Sequence, residues 1–156
     1  MHLLIKKTII LFLLLLFTIN VHSLIYPITP KYASLKKNKT YLRYNASFQA
    51  PISHIYNKKG LPILIINEHD NWKKIKDSNG IEGWMHKSMI SNRKTFINLK
   101  KQNLIKFLDE KNLIIAIIDP KVVGKIIKCE KIYCRVKVNK YKGWLKKEFL
   151  WGIKKD

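Results

Sequence analysis

The sequence predicts an all-β protein built from two small barrels in tandem. Three observations predict this fold class: a strand-and-turn pattern that occurs twice, many short strand-like segments bounded by turn residues, and only weak helical periodicity. Self-similarity at a fixed period indicates a duplicated unit. Five or six short strands in about 60 residues are typical of a small barrel.

Each copy of the repeat ends in Gly-Trp. The first copy spans residues 71–87 and the second spans 132–147, with a turn that is one residue shorter in the second. Four pairs of positions align between the copies: Trp72 with Tyr133, Ile75 with Val136, Gly83 with Gly143, and Trp84 with Trp144. We therefore expect a first barrel over residues 38–93 and a second over 94–156. Residues 24–37 contain Pro27 and Pro30 without a clear period, which predicts a linker or an irregular N-terminal arm.

The N-terminus resembles a cleaved secretory signal over residues 1–23. Lys6 and Lys7 precede an apolar run of twelve residues, and Val21-His22-Ser23 follows it. A membrane-spanning helix needs about 20 apolar residues, so the run is too short for an anchor. We expect a periplasmic or secreted protein without a stable membrane anchor after cleavage.

The chain is strongly basic. Its 31 Lys and Arg residues and 10 Asp and Glu residues give a formal net charge of +21. The charge is spread over both repeats, which favours anionic partners and salt-sensitive association. The alternative is that the lysines are solvated outer-face positions of a chain rich in Lys, Ile and Asn. Binding to nucleic acid fits the charge but not the export signal, so we expect no nucleic-acid partner.

The two cysteines, Cys129 and Cys134, lie where a tight turn joins two adjacent predicted strands. Such a turn can bring the side chains within disulfide range if both lie on one face, and an exported chain meets oxidising conditions. We predict a disulfide. A metal site is disfavoured because the pair lacks partner Cys or His residues at ligand spacing.

Residues 32–153 resemble the bacterial Src-homology-3-like domain family, in the tandem, signal-bearing form of Gram-negative bacteria. The matching motifs are Tyr32-Ala33-Ser34-Leu35-Lys36, Leu42-Arg43, Lys59-Gly60-Leu61-Pro62, Asn71-Trp72, Glu82-Gly83-Trp84-Met85-His86, Asp119-Pro120, Tyr133-Cys134-Arg135-Val136, Tyr141-Lys142-Gly143-Trp144-Leu145 and Leu150-Trp151-Gly152. One segment departs from the family, because Tyr44-Asn45-Ala46-Ser47 stands where a Gly-Pro loop is usual beside the ligand groove.

The resemblance implies binding of cell-wall peptides rather than catalysis. Trp72 and Ile75 are three positions apart on one strand and therefore face opposite ways. If Ile75 is core, Trp72 either anchors a ligand on an open surface or covers the open end of the barrel. The expected ligand-binding residues are Arg43, Tyr44, Tyr56, Trp72 and Lys74. Phe48 is a further candidate for the groove.

The sequence predicts no enzyme, no catalytic residue, no metal site and no cofactor. His54, His69 and His86 lack metal-pair spacing. Two functions remain: a module that binds peptidoglycan peptide or another anionic envelope component, and an adaptor or accessory subunit that binds another envelope protein. Aromatic residues ringed by lysines favour the first, and an apolar patch with few charges favours the second. The sequence makes no prediction of oligomeric state.

Overall fold

The computed structural model describes residues 28–107 and 113–154, and this part of the chain forms two antiparallel sheets of seven strands each without an α-helix. The all-β prediction is confirmed. The predicted signal peptide, residues 1–23, lies outside the described residues.

The first barrel comprises β1 (Lys31–Leu35), β2 (Thr40–Arg43), β3 (Ile52–Tyr56), β4 (Pro62–His69), β5 (Trp72–Lys76), β6 (Glu82–His86) and β7 (Ile90–Ser91). The second comprises β8 (Thr95–Asn98), β9 (Gln102–Ile105), β10 (Ile114–Ile118), β11 (Val123–Cys129), β12 (Tyr133–Val138), β13 (Tyr141–Lys146) and β14 (Leu150–Trp151). A 3-10 turn precedes the last strand of each barrel, at Lys87–Met89 and Lys147–Phe149.

The two sheets have the same strand order. The first runs β3-β2-β6-β5-β4-β1-β7 and the second runs β10-β9-β13-β12-β11-β8-β14. Adding seven to each strand number of the first sheet gives the order of the second. Both long hairpins carry a β-bulge at the same place, after Ile65 in β4 and after Ile126 in β11. The duplication predicted from the Gly-Trp pattern is therefore confirmed in topology and in register.

Besides the two-residue strands β7 and β14, two strands lie where the sequence predicts none. The expectation of an irregular arm over residues 24–37 is wrong for Lys31–Leu35, which pairs with both β4 and β7. The prolines precede this strand and leave its ladder intact, and Ala33 and Leu35 enter the core. The second strand is β8, in which all four residues are buried. A strand buried on both faces shows no alternation of apolar and polar residues.

Each barrel has its own apolar core. The first consists of Ala33, Leu35, Leu42, Ile63, Ile65, Ile75 and Met85, and the second of Phe96, Leu104, Ile118, Cys134, Val136, Val138, Leu145, Leu150 and Ile153.

The glycine of each Gly-Trp pair has the same packing role. A Cβ on Gly83 would lie 2.8 Å from the carbonyl oxygen of Arg43, and one on Gly143 would lie 2.6 Å from that of Ile105. Both glycines therefore allow the last long strand of a barrel to approach the second strand closely.

The predicted disulfide is present between Cys129 and Cys134, whose Cα atoms are 4.0 Å apart. The two residues lie opposite each other on β11 and β12, which places both side chains on one face as the prediction required.

The barrels also contact each other. Only Asn92, Arg93 and Lys94 connect β7 to β8. The ring of Tyr32 meets the ring of Trp151 edge to face, with centroids 5.2 Å apart. Gly152 has a φ of +106°, and a Cβ there would lie 2.8 Å from the Cβ of Pro62. A short connection and close packing thus set the arrangement of the two barrels.

Candidate functional site: an aromatic face on the first barrel

The outer face of β5 and β6 carries aromatic and basic side chains. Trp72 lies opposite His86, and Lys74 lies opposite Trp84. The alternate residues point inward, where Ile75 and Met85 are fully buried. Trp72 is therefore turned away from Ile75, as period-two geometry predicts.

An aromatic cluster, defined here as Phe48, Trp72 and His86, covers one end of this face. The ring centroids of Phe48 and Trp72 are 4.9 Å apart, those of Phe48 and His86 are 5.0 Å apart, and those of Trp72 and His86 are 5.4 Å apart. Trp72 is only 7% exposed, whereas Phe48 is 59% exposed. The expectation of an open surface at Trp72 is wrong, because Phe48 and His86 cover its ring. Phe48 is the most exposed member of the cluster, and His86 is partly exposed.

The loop between β2 and β3 holds Phe48 in place. The Arg43 guanidinium donates a hydrogen bond to the carbonyl oxygen of Ala50, and the Tyr44 N–H donates to that of Pro51, at 3.2 Å. The Ala50 N–H donates to the carbonyl oxygen of Ser47 and closes a turn around Phe48. Arg43 thus acts within the loop and positions Phe48 rather than projecting freely toward a ligand.

Tyr44 lies at the start of the same loop and is 66% exposed. Its side chain is available for contact, as the prediction requires. On the adjoining strand, His86 is held by the 3-10 turn that follows it, since its Nδ1 accepts a hydrogen bond from the Ser88 N–H at 3.3 Å. Both sides of the aromatic cluster are therefore attached to hydrogen-bonded backbone.

The lysines of this barrel share too few carboxylates to be neutralised. Lys74 and Lys76 both pair with Glu82, with N–O distances of 3.6 and 3.1 Å. The hydrogen bond from Lys76 lowers the pKa of the Glu82 carboxyl. In the same way Lys73 and Lys31 share Glu68. The hydrogen bond from Lys73 lowers the pKa of Glu68. Each group of two lysines and one glutamate keeps a net positive charge.

Tyr56 is not brought to the aromatic cluster. It packs against the core of the first barrel, and its hydroxyl donates to Oδ2 of Asp77 at 3.2 Å. Asp77 follows β5, whereas Trp72 begins that strand. Five residues of extended chain separate the two by roughly 17 Å. Of the five predicted ligand-binding residues, Arg43, Tyr44, Trp72 and Lys74 lie at or beside the aromatic face, and Tyr56 lies at the other end of β5.

Sequence reasoning overlooked His86 as a member of the site. A usable signal exists, because His86 follows Trp84 at a spacing of two and therefore shares its face. Its contact with Trp72 depends on the register between β5 and β6.

The second barrel does not repeat this cluster in its described part. Tyr133, which aligns with Trp72, lies opposite Lys146 where the first barrel has His86. Trp144 instead meets the ammonium group of Lys128, whose Nζ lies 5.1 Å from the centroid of the indole ring. The two barrels therefore share a fold but present different surfaces at equivalent positions.

Within residues 28–107 and 113–154, no three His, Cys, Asp or Glu side chains come together in a way that could hold a metal ion. No helix in the described ranges is long and apolar enough to span a bilayer.

Comparison with solved structures aligns the chain with NlpC2 and NlpC1 from Trichomonas vaginalis and with an NlpC/P60 family protein from Bacillus cereus. Sequence identity is 12% in each case, and the TM-scores are 0.36, 0.37 and 0.36. The alignments cover 81%, 82% and 78% of this chain but only 49%, 47% and 56% of those chains. The chain thus spans about half the length of these proteins.

No curated protein is significantly similar to the chain in sequence. The family model of the bacterial SH3 domain, a binding domain, matches residues 36–92 and 102–152. Each match lies within one of the two seven-stranded repeats, and together they include more than half of the sequence. The chain belongs to the bacterial SH3 domain family.

Proposed function

We propose that this protein is an exported, non-catalytic module that binds cell-wall peptide through the aromatic face of its first barrel. Membership of a family of binding domains supports this proposal. The observation that carries it is the position of Phe48, which is exposed while its ring rests on the buried Trp72 and on His86. A rigid aromatic side chain held in this way loses little conformational entropy when it contacts a ligand.

The charge around the aromatic face suits a peptide that carries carboxylates. Lys74 and Lys76 share one glutamate, so this pair of ammonium groups retains attraction for an additional anion. Tyr44 adds an exposed phenol beside the cluster. The proposed contacts are therefore stacking on Phe48, a hydrogen bond or stacking with Tyr44, and a charge-assisted hydrogen bond from Lys74. In this proposal Arg43 and Trp72 position the loop and the cluster, and Tyr56 stabilises the fold.

The test is co-sedimentation of the protein with purified peptidoglycan sacculi at low salt and at about 0.5 M salt, where charge interactions are screened within a few Å. Phe48→Ala is compared with Phe107→Ala, which removes an exposed aromatic ring from the second barrel. Trp72→Ala is a poor probe because Trp72 is buried, and its loss would destabilise the barrel.

We expect the unchanged protein to bind sacculi at high salt as well as at low salt. Binding should fall about tenfold in Phe48→Ala, because one aromatic anchor is lost. Binding by Phe107→Ala should be unchanged. Equal binding by both variants and the unchanged protein would exclude the aromatic face as the binding site. Binding lost entirely at high salt would reduce the interaction to nonspecific attraction between a basic protein and an acidic wall.

A second function, that of an adaptor for another envelope protein, is favoured by the edge strands. β3 and β10 occupy equivalent edges of the two sheets. Each exposes two isoleucines, Ile52 and Ile55 on β3 and Ile114 and Ile117 on β10. An exposed edge can pair with a strand of a partner. The test is retention of the protein on intact envelopes. If the double variant Ile55→Lys, Ile117→Lys is no longer retained while Phe48→Ala is retained like the unchanged protein, the adaptor function replaces the wall-binding one.

A further inference from the structure

A cleft between the two barrels is lined by cationic side chains. Its volume is about 700 Å³, within the usual range for ligand sites. Six of the side chains that line it are basic: Lys36, Lys37, Lys59, Arg93, Lys125 and Lys137. None of the described residues that line it is acidic. The three lysines from Lys36 to Lys59 belong to the first barrel, Arg93 belongs to the connection, and Lys125 and Lys137 belong to the second barrel. Neither barrel alone therefore forms the cleft.

These six side chains differ from the lysines of the aromatic face in having no carboxylate partners. Among the described residues, every ion pair of a lysine involves Glu68, Glu82 or Glu130, and none involves a cation of the cleft. The positive charge of the cleft is therefore not compensated within the described part of the protein. Uncompensated charges between low-dielectric walls focus the electrostatic potential on an anion that enters.

Strand register shows that the charge is not simply spread evenly over a lysine-rich surface. Lys137 on β12 lies directly between Lys125 on β11 and Lys142 on β13. At the equivalent position of the first barrel, Lys76 lies between Leu64 and Glu82. Like charges directly opposite each other destabilise a sheet. The second barrel thus carries a repulsive row of three lysines where the first has an ion pair, and a bound anion would relieve this repulsion.

The floor of the cleft is close-packed and contains an unpaired hydroxyl. A Cβ on Gly124 would lie 2.6 Å from the ring of Phe96, so the backbone there sits directly on the core of the second barrel. Thr95 also lines the cleft, is buried, and has an Oγ1 without a hydrogen-bond partner in the described residues. Gly152 packs against the same floor, because a Cβ on it would lie 2.5 Å from the carbonyl oxygen of Thr95. Lys125 and Lys137 project from strands, whereas Lys36, Lys37, Lys59 and Arg93 lie in the connections between strands.

From this arrangement we infer that the inter-barrel cleft is a second binding site, separate from the aromatic face, and that its ligand carries several clustered phosphate groups. Lysine binds phosphate as a point charge, and five of the six cations are lysines. A phosphate monoester carries a charge of about −1.5 to −2, so about three or four such groups match six cations. A single phosphate would leave most of the charge uncompensated. The ligand is either a free oligophosphate or the phosphorylated headgroup of an envelope lipid.

The test is isothermal titration of the protein with inorganic tripolyphosphate at low salt, with orthophosphate titrated in parallel. Two double variants are compared. The cleft variant carries both Lys125→Gln and Lys137→Gln, and the control variant carries both Lys131→Gln and Lys146→Gln. The control also removes two positive charges, one from the turn that precedes β12 and one from the last residue of β13. Thermal unfolding of each variant confirms that it is folded.

We expect tripolyphosphate to bind at least about tenfold more tightly than orthophosphate, as electrostatic focusing on several cations requires. The cleft variant should lose about tenfold in affinity, and the control should stay within about threefold of the unchanged protein. Equal losses in both double variants would overturn the inference, because they would show a dependence on net charge alone. The absence of tripolyphosphate binding at low salt would also overturn it.

Vesicles distinguish the two sources of phosphate. Binding to vesicles that contain a diphosphorylated glycolipid in a zwitterionic background, lost in the cleft variant, assigns the site to a lipid headgroup. Binding of tripolyphosphate without vesicle binding assigns it to a soluble oligophosphate. The cleft variant should retain the Phe48-dependent binding to sacculi at high salt. The two proposals can therefore fail separately.

Discussion

Cys129 lies directly opposite Cys134 on β11 and β12, at the register position where the first barrel places Glu68 opposite Lys73. The disulfide of one barrel is thus replaced in the other by an ion pair, with an Nζ–Oε2 distance of 2.6 Å. Both pairs close a hairpin with a sequence separation of five. The duplicated fold tolerates either kind of link at this position, because the hairpin already holds the two residues together.

The disulfide should contribute modestly to stability. A cross-link that closes so short a loop removes little entropy from the unfolded chain, about 2 kcal/mol in the loop-entropy model. We expect Cys129→Ala with Cys134→Ala to lower the free energy of unfolding by about that amount. The measurement is urea unfolding, with and without reductant. Reductant should shift the unchanged protein and leave the double variant unaffected, and a loss of folding in the double variant would contradict this prediction.

The first barrel should accept a disulfide at the equivalent place. Glu68→Cys with Lys73→Cys puts two thiols in the register that Cys129 and Cys134 occupy. We expect the new pair to oxidise in air and to contribute about 2 kcal/mol to the free energy of unfolding, as the native disulfide does, because the loop length is the same. Mass spectrometry after alkylation without reductant checks this. Alkylation of both introduced thiols would show that the hairpins differ in geometry, and Glu68→Cys alone serves as the control that must be alkylated.

Asn98 should be a critical buried polar residue of the second barrel. The two N–H groups of its Nδ2 are shared among the carbonyl oxygens of Lys100, Ile118 and Asp119, and its Oδ1 accepts from Gln102 at 2.6 Å. Asn98→Leu leaves these groups unsatisfied, so we expect a loss of about 3 kcal/mol in the free energy of unfolding. Asn103→Leu, at an exposed position of β9, should change it by less than about 0.5 kcal/mol. Chemical denaturation measures both, and similar losses would refute the role of the amide.

The Tyr56–Asp77 hydrogen bond should make the first barrel sensitive to alkaline pH. Three causes raise the pKa of Tyr56 above its ordinary value of 10.0. Burial is the largest, and the charge of Asp77 and the hydrogen bond to Asp77 add to it. The folded protein therefore holds the phenol proton more tightly than the unfolded chain does. This contribution to stability is fully present below pH 10 and is lost as pH rises above that value.

The corresponding measurement is thermal unfolding from pH 8 to pH 11, with Tyr56→Phe as the test variant. At pH 8 the variant should be less stable by about 1 to 2 kcal/mol, because Asp77 loses one hydrogen bond. The difference from the unchanged protein should shrink above about pH 10. Tyr44→Phe removes an exposed hydroxyl and should follow the unchanged protein throughout. A constant difference for Tyr56→Phe across this range would contradict the assigned cause.

Much of the fold could be predicted because its signals are local. The Gly-Trp pairs, the alternation around Ile75 and Val136, and the spacing of Cys129 and Cys134 all reflect neighbours along one strand or across one hairpin. The longer strands that sequence reasoning missed, β1 and β8, are held by partners that are distant in the sequence. β8, for example, pairs with β11 and β14. The burial of β8 on both faces also removes the period-two pattern by which strands are recognised.

The candidate site could be predicted only in part. The side of β5 on which Trp72 lies follows from backbone periodicity, and the structure confirms it. The solvent exposure of Trp72 depends on Phe48, which contacts the Trp72 ring from a loop more than twenty residues away in the sequence. Tyr56 is a groove candidate on its residue type alone, whereas in the structure its hydroxyl donates a hydrogen bond to Asp77.

The sequence by itself determined the all-β class, the duplication and the disulfide, because each depends on periodicity or on residues close together in the chain. Only the tertiary structure decided that Phe48 covers Trp72, that Lys125, Lys137 and Lys142 form one row, and that two barrels enclose a basic cleft. These features require the register between strands and the packing between barrels. Both are set by the sum of many weak contacts between distant residues, which no local pattern in the chain records.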